Sequence, residues 1–269
     1  MARPISFLSD YGLGDEFVGV VHGVIAGICP QARVIDLGHG VPRQDVQAGA
    51  LMLERALPYV PAGVHLAVVD PEVGALRRAI ALRTADDDRL LVGPDNGLLI
   101  PAAERFGGVA EAVEISASLW RLEPVSATFH GRDVFAPVAA RLAGGAPLAS
   151  AGEPLEAGEL VAFERSRPQV EADALLAHVV ATDSFGNAIL DAAHDDLLAS
   201  GRRLGDAVAA RAGGRRVRGV VARTFSDVAS GQLLVYEDAG GSLALAVNGG
   251  DAAALLGLRA GDEVRLETA

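Results

Sequence analysis

Thr128-Phe129-His130-Gly131-Arg132-Asp133 sets an aromatic ring, an imidazole, a glycine and a charge pair side by side at the predicted start of a helix. Two other segments share this character: Val69-Asp70-Pro71 followed by Arg77, and Thr182-Asp183-Ser184-Phe185-Gly186-Asn187 in the second half of the chain. Together they read as one divided active site. A carboxylate flanked by an arginine can hold a water molecule and orient its lone pair, while Arg and His compensate the charge. The chemistry open to Asp70, Arg77 and His130 is therefore acid–base and electrostatic. Each also has a plainer reading: Asp70 as a turn residue before Pro71, Arg77 as a surface charge, His130 as a residue that begins a helix.

Several other chemistries lack their residues. Gly12-Leu13-Gly14 follows a first strand, but the third glycine of a dinucleotide fingerprint would fall at Phe17, which removes the close approach a pyrophosphate needs. Lysine is absent from the chain, and with it the usual ATPase and kinase machinery. No serine occupies a Gly-x-Ser-x-Gly elbow. The six histidines show no HExxH pairing. A metal site assembled from Asp10, Asp70, Asp95 and His130 stays open, because such ligands converge only in the fold.

The elements that must position these residues change class along the chain. From residue 4 to about 145, short β-branched runs alternate with helical periodicities, as in a mostly parallel sheet flanked by helices. Strands are predicted at Ile5–Leu8, Val34–Leu37, Val64–Val69, Ala79–Arg83, Leu90–Val92 and Ala112–Ile115. Phe17, Val20, Val21, Val24, Ile25 and Ile28 form one apolar helical face, and Gly19, Gly23 and Gly27 on the same helix suggest close packing on the sheet. Further helices are predicted at Val46–Leu57, Leu98–Phe106 and Arg132–Leu142. Asp10, Asp70 and Asp95-Asn96 fall where strands end, which is where open α/β sheets bind ligands, although capping explains any one of them.

Residues 144 to 172 are rich in Gly, Pro, Glu and Ala and read as a connecting segment. Beyond it, strand-like runs at Ala177–Thr182, Val217–Ala222, Leu233–Tyr236, Leu243–Val247 and Glu263–Leu266 predict an all-β, barrel-like domain. The division is thus an α/β domain over residues 1–165 and a β-barrel domain over residues 172–269.

The chain has 269 residues, half of them hydrophobic, and a net charge of −12. An acidic surface argues against nucleic acid as a partner. Apolar runs break well before the roughly 18 residues of a membrane span. The one cysteine, Cys29, excludes an intramolecular disulfide and reads as a core thiol. Met1-Ala2-Arg3-Pro4-Ile5 leads straight into a strand pattern without the apolar region of a signal peptide, so a cytoplasmic protein is expected.

Six segments, in order, resemble one family. They are Phe7–Gly12, Val68-Val69-Asp70-Pro71 with Gly74 and Arg77-Arg78, Gly93–Leu99, Thr128–Asp133, Asp183 with Phe185-Gly186-Asn187, and Ala246–Gly250. Together they are similar to the S-adenosyl-L-methionine hydroxide adenosyltransferases, relatives of the fluorinase and chlorinase. The resemblance implies an N-terminal α/β domain, a C-terminal β-barrel and a homotrimer whose active sites lie between subunits. It also implies a reaction without cofactor, in which water displaces methionine from C5′ of S-adenosylmethionine. Asp70, Arg77 and His130 resemble the catalytic set of the hydrolytic branch, whereas the halogenating branch carries a tyrosine where Asp70 stands. By the same resemblance Asp10 accepts bonds from the ribose hydroxyls, Phe129 and Phe185 flank the adenine, and Asn187 bonds to it. Asp183 pairs with the methionine ammonium, Asn248 and Gly249 lie at the adenine edge, and Asn96 belongs to the substrate-binding set. Two positions depart from the pattern: Glu72 stands where the family usually has glycine, and Ala239 replaces a serine that contacts the methionine carboxylate. The amides of Gly240 and Gly241 are expected to serve in its place.

Overall fold

Ile5 and Phe7 of the first strand, β1 (Ile5–Ser9), enter one apolar cluster, while Leu8 beside them enters another. That alternation is what a strand covered on both faces produces. The computed structural model describes residues 2–269, which divide into two compact units at Glu164/Arg165.

The first unit continues with α1 (Phe17–Ile28), β2 (Val34–Gly38), α2 (Val46–Ala56), β3 (Val64–Val68), β4 (Ala79–Thr84), β5 (Leu90–Pro94), α3 (Ile100–Arg105) and β6 (Val109–Glu114). After a long connection come α4 (Ala136–Ala143) and β7 (Glu153–Leu155). The sheet order is β2-β1-β3-β5-β4-β6-β7. Strands β2, β1, β3 and β5 are mutually parallel, β4 is antiparallel to β5, and β6 and β7 each reverse again. Only β4 and β7 therefore oppose the common direction, and the sheet is mostly parallel. The reversal at β4 follows from its short link to β5: residues 85–89 are too few for the crossover a parallel pair needs. Helices α1 and α4 cover one face and α2 and α3 the other.

Helix α1 buries Val18, Val21 and Ile25, with Cys29 next in the series in the core. The buried stripe is rotated from the predicted one, and Phe17 is exposed. Gly19, Gly23 and Gly27 do not pack on the sheet; a Cβ built at any of them meets no heavy atom within 4 Å. The expected close-packing role is thus corrected: these glycines lie where side chains would find open space. The predicted connecting segment is also more ordered than its composition implies. Its β7 pairs with β6, and the Val161 amide donates to Asp95 Oδ1 at 2.9 Å, so the first unit extends to Glu164.

The second unit contains β8 (Gln169–Val170), β9 (Ala174–Thr182), β10 (Ala188–Ala193), α5 (His194–Ala199), β11 (Ala207–Ala212), β12 (Arg215–Val221), β13 (Leu233–Glu237), β14 (Ser242–Val247), α6 (Ala252–Leu256) and β15 (Glu263–Thr268). Its order is β10-β14-β13-β12-β11-β15-β9-β8, and pairing of β10 with β9 closes a barrel of seven strands with β8 outside the ring. Alternate residues such as Leu175, Ala177 and Val179, or Leu243, Leu245 and Val247, fill the interior. Closure leaves the ring without unpaired strand edges. Strands β10 and β11 escaped the sequence reading because they are alanine-rich, a composition poor in strand propensity; pairing on both sides makes them strands.

Leu266 is fully buried in the barrel core. Leu266→Ala is expected to lower unfolding stability by about 2–5 kcal/mol, read as an earlier urea midpoint for the barrel signal.

Candidate active site

Asp70 follows directly on β3 and Val69, at the carboxyl end of the strand, where its side chain leaves the sheet. Asn96 fixes that end: its Nδ2 donates to the Val69 carbonyl at 2.9 Å, and its Oδ1 accepts from the Leu98 amide at 3.2 Å. The loop from Asp70 to Arg77 then folds back on itself, with the Ala75 amide donating to the Glu72 carbonyl. Gly74 at its tip has φ +79°, and a Cβ there would collide with the Ala127 carbonyl oxygen. Only glycine combines that backbone angle with that approach. The close approach brings the loop against the segment that carries His130.

Arg77 returns to Asp70 as a fork. Its Nε donates to Asp70 Oδ1 at 2.9 Å and Oδ2 at 3.1 Å, and a terminal nitrogen pairs with Oδ2. The two side chains are only 4% and 6% exposed. In such dry surroundings an ion pair is strong, and removing either partner leaves a buried charge alone. The same terminal nitrogen donates to His130 Nδ1 at 2.9 Å, and the guanidinium carbon lies 5.2 Å from the centre of the Phe135 ring. Because an arginine only donates, Nδ1 must be the acceptor, so neutral His130 carries its proton on Nε2. Burial and the Arg77 charge lower the His130 pKa below its ordinary value, outweighing Asp70 and Asp133. A cavity of about 430 Å³ is lined by Arg77 and His130 together with Ser116, Arg121 and Val125.

The predicted helix from Arg132 begins differently. Gly131–Phe135 form a wide π-type turn, closed by the Ala136 amide donating to the Gly131 carbonyl, and the α-helix starts only at Ala136. Pro137 supplies the reason: lacking an N–H, it leaves the Asp133 carbonyl without the ordinary helical donor. The Leu122 amide takes that place at 2.8 Å. Asp133 is buried, and its carboxylate accepts from Arg132 at 2.6 and 2.8 Å and from the Ser126 amide at 2.8 Å. Such turns recur at functional sites, and this one aims His130 at Arg77.

Sequence reasoning singled out Asp10 and Phe129 but not Tyr11, which joins them. Its ring meets Phe129 edge-on with centroids 5.8 Å apart, and Phe17 packs on Phe129 at 5.1 Å. A Cβ at Gly131 would overlap the Tyr11 hydroxyl. Desolvation, then the charges of Asp10 and Asp70, push the Tyr11 pKa well above its usual range, so the phenol stays a neutral donor. Its signal was its place inside the Phe7–Gly12 motif. Asp10 Oδ2 accepts from the Gln44 amide at 2.9 Å.

Asp10, Asp70, Asp95 and His130 do not converge as a metal site. Asp95 is buried against Arg78 at 2.7 Å and Asp70 against Arg77, so arginines hold the charges a cation would need. Among the described residues, the one His/Asp cluster within ligating distance is instead His22, Asp36 and His39. Glu72 is exposed, so its carboxylate does not crowd the enclosed Asp70.

In the second unit, Asp183 Oδ1 accepts from the amides of Phe185 and Asn187, both at 2.9 Å, and Oδ2 accepts from Asn187 Nδ2 at 2.8 Å. The turn holds Asn187 buried and leaves Phe185 77% exposed. Gly186 abuts the Asp251 carboxylate, and its carbonyl receives the amides of Ala252 and Ala253, both at 3.0 Å. That contact brings the Asp183–Asn187 turn beside the loop of Asn248 and Gly249, where Asn248 Nδ2 donates to the Val228 carbonyl at 2.8 Å. Near Ala239 the expectation of free amides is corrected: those of Gly240 and Gly241 donate to Asp238 at 2.8 and 3.0 Å, closing their own turn.

Comparison with known proteins gives matches over nearly the whole chain. Residues 5–152 match the SAM hydroxide adenosyltransferase N-terminal domain, and residues 177–265 match the C-terminal domain of the same family. The chain is 53% identical over 262 residues, 97% of each protein, to a protein of Salinispora tropica named (R)-S-adenosyl-L-methionine hydrolase. A protein of the same name from Thermus thermophilus is 42% identical over 98% of this chain and 99% of its own length. A fluorinase of Nocardia brasiliensis is more distant, 30% identical over 98% and 97%. The crystal structure of an uncharacterized conserved protein from Thermotoga maritima superposes with TM-score 0.91 at 39% identity, covering 97% of this chain and 99% of that one.

Asp133 offers a test of how the His130 turn is held. Burial raises its pKa, but the bonds from Arg132 and Ser126 outweigh that and leave it lowered. A depressed carboxylate contributes stability above its unfolded value of about 3.9, and this fades as pH falls through the folded value. Asp133→Asn is therefore expected to lower stability by about 1–2 kcal/mol at pH 7. The gap between the urea midpoints of variant and parent should close on acidification below about pH 4.

Proposed function

The chain belongs to the SAM hydroxide adenosyltransferase family, and from that premise we propose that it hydrolyses S-adenosyl-L-methionine to adenosine and L-methionine through Asp70, Arg77 and His130. The observation that carries this reading is the enclosed Asp70 carboxylate, gripped by the Arg77 fork and backed by His130. A halide nucleophile asks for hydrogen-bond donors in a dry pocket. A water nucleophile gains from a carboxylate that accepts its proton, which Asp70 provides.

Sulfonium is already a good leaving group, so the protein's work is alignment. Water oxygen forms a bond to ribose C5′ as the C5′–S bond breaks, and the bonding pair moves to sulfur, which becomes the neutral thioether of methionine. The water gives up one proton toward Asp70. Arg77 keeps that carboxylate in one orientation, and His130, with Nδ1 engaged, presents Nε2–H as a donor toward the cavity it lines. Every charge in this scheme comes from the chain or the substrate, so the reaction takes no cofactor.

The remaining residues are assigned to substrate. Asp10 accepts from the ribose hydroxyls with its orientation set by Gln44. Phe129 flanks the adenine from a position fixed by Tyr11 and Phe17, and the exposed Phe185 flanks it from the other side. Asn187 bonds the base, Asp183 the methionine ammonium, and Asn248 with Gly249 the adenine edge. Asn96 acts at one remove, through the Val69 carbonyl beside Asp70. We assign these contributions to neighbouring subunits of a homotrimer. The exposed apolar side chains Leu13 and Leu76, in the loops of Asp10 and Asp70, and Phe185 in the second unit favour such an assembly.

Purified protein incubated with S-adenosylmethionine should release adenosine and methionine in equal amounts, resolved by chromatography; no release above the enzyme-free control would refute the reading. Asp70→Asn should lower turnover by about 10²–10⁴ with the fold retained by circular dichroism. Because protonated His130 loses its Nδ1 acceptor for Arg77, and its pKa is lowered, the acid limb of the kcat profile should fall below about pH 6.5. That limb should be lost or displaced in His130→Gln.

A further inference from the structure

Away from Asp70, the edge of the first unit's sheet carries a second polar cluster that the hydrolysis does not use. Asp36 lies on β2 and His39 just after it, three residues apart, so a regular strand would point them to opposite faces. The register with β1 slips between Phe7 and Leu8, where Asp36 and then Gly38 are the partners, and this bulge turns the two side chains to the same side. His22 approaches from α1. Its Nε2 lies 2.9 Å from Asp36 Oδ1, and His39 Nε2 lies 3.0 Å from the same oxygen. One donor atom from each of the three residues falls within 4.8 Å of the others.

The His39 side chain is only 3% exposed, yet its Nε2 makes no aligned hydrogen bond with any group in the protein. Its other nitrogen, Nδ1, is 2.8 Å from the buried Ser9 hydroxyl, and its ring packs on Phe7 at 4.6 Å. An imidazole clamped at Nδ1 with an unmatched nitrogen facing a carboxylate and a second imidazole is how metal-binding histidines are oriented. We propose that His22, Asp36 and His39 bind a divalent transition cation, with Zn²⁺ the ion that best suits two imidazoles and one carboxylate.

The spacing fits. Ligands about 2.0–2.1 Å from a tetrahedral Zn²⁺ stand roughly 3.3 Å apart, so the Nε2–Oδ1 separations of 2.9 and 3.0 Å open by a few tenths of an ångström on binding, with all three donor atoms already within 4.8 Å. Bound metal would take the Nε2 lone pair of His39 and leave Nδ1–H to donate to Ser9. His22 and Asp36 are partly exposed, so the ion enters from solvent and keeps water in its fourth position. The site ties α1 to the edge strand, and the Gly12 amide donates to the His39 carbonyl at 2.7 Å, which places it behind the loop of Asp10.

Metal-free protein titrated calorimetrically with Zn²⁺ at pH 7.5 should take up one ion per chain and unfold at a higher temperature when loaded. Co²⁺ in the same site should give visible d–d absorption. His22→Ala and Asp36→Asn, both at partly exposed positions, should abolish the stoichiometric uptake and the absorption, and Ser9→Ala should weaken binding by about tenfold. His39→Ala is less informative because its ring is part of the core. Failure of the parent protein to bind one Zn²⁺ per chain, or undiminished binding in both His22→Ala and Asp36→Asn, would overturn the proposal.

Discussion

The enclosed ion pair between Asp70 and Arg77 is the constraint on which the rest of the N-terminal unit turns. Two opposite charges that are each under a tenth exposed must satisfy one another, since an unpaired charge in such surroundings is strongly destabilising. The fork leaves Asp70 few orientations, and the arginine's spare donor reaches His130. A carboxylate, a guanidinium and an imidazole thereby become one unit with a defined tautomer. Their separation of seven residues and then more than fifty in sequence is bridged by local devices with separate physical causes.

Those devices are mostly backbone effects. Gly74 permits a carbonyl to come where a Cβ would stand, and Gly131 leaves space for the Tyr11 hydroxyl. Pro137 withholds one amide, opening the turn at His130, and Leu122 repairs the accounting by donating to the freed carbonyl. Asn96 secures the carbonyl just before Asp70. None of these five residues acts on a reacting atom, and three of them, Gly74, Asn96 and Gly131, lie in recognisable motifs.

The barrel unit works by a different economy. Asp183 accepts three bonds within its own turn and keeps acceptor capacity on Oδ2, Asp238 closes its own turn, and Asp251 caps the first turn of α6, so these loops are held by their own hydrogen bonds. Loops already held by their own hydrogen bonds lose little entropy when a ligand binds. The same economy explains why Gly240 and Gly241 have no spare amides for the serine missing at Ala239.

Much of this was legible in the linear chain. The β-branched runs located most strands within a residue or two, the change from helical to strand periodicity marked two domains, and the motifs that resemble the family singled out Asp70, Arg77 and His130, which residue type alone left with a plainer reading. Side-chain period and local composition are short-range properties, and they are written directly in the order of residues. Tertiary structure alone decided the alanine-rich strands β10 and β11, the reversed β4, the outward glycines of α1 and the joining of His22, Asp36 and His39. It also decided that Asp95 pairs with Arg78 rather than helping to hold a metal. Those outcomes depend on which distant groups compete for the same partner, and that competition is settled only when folding brings them within a few ångströms.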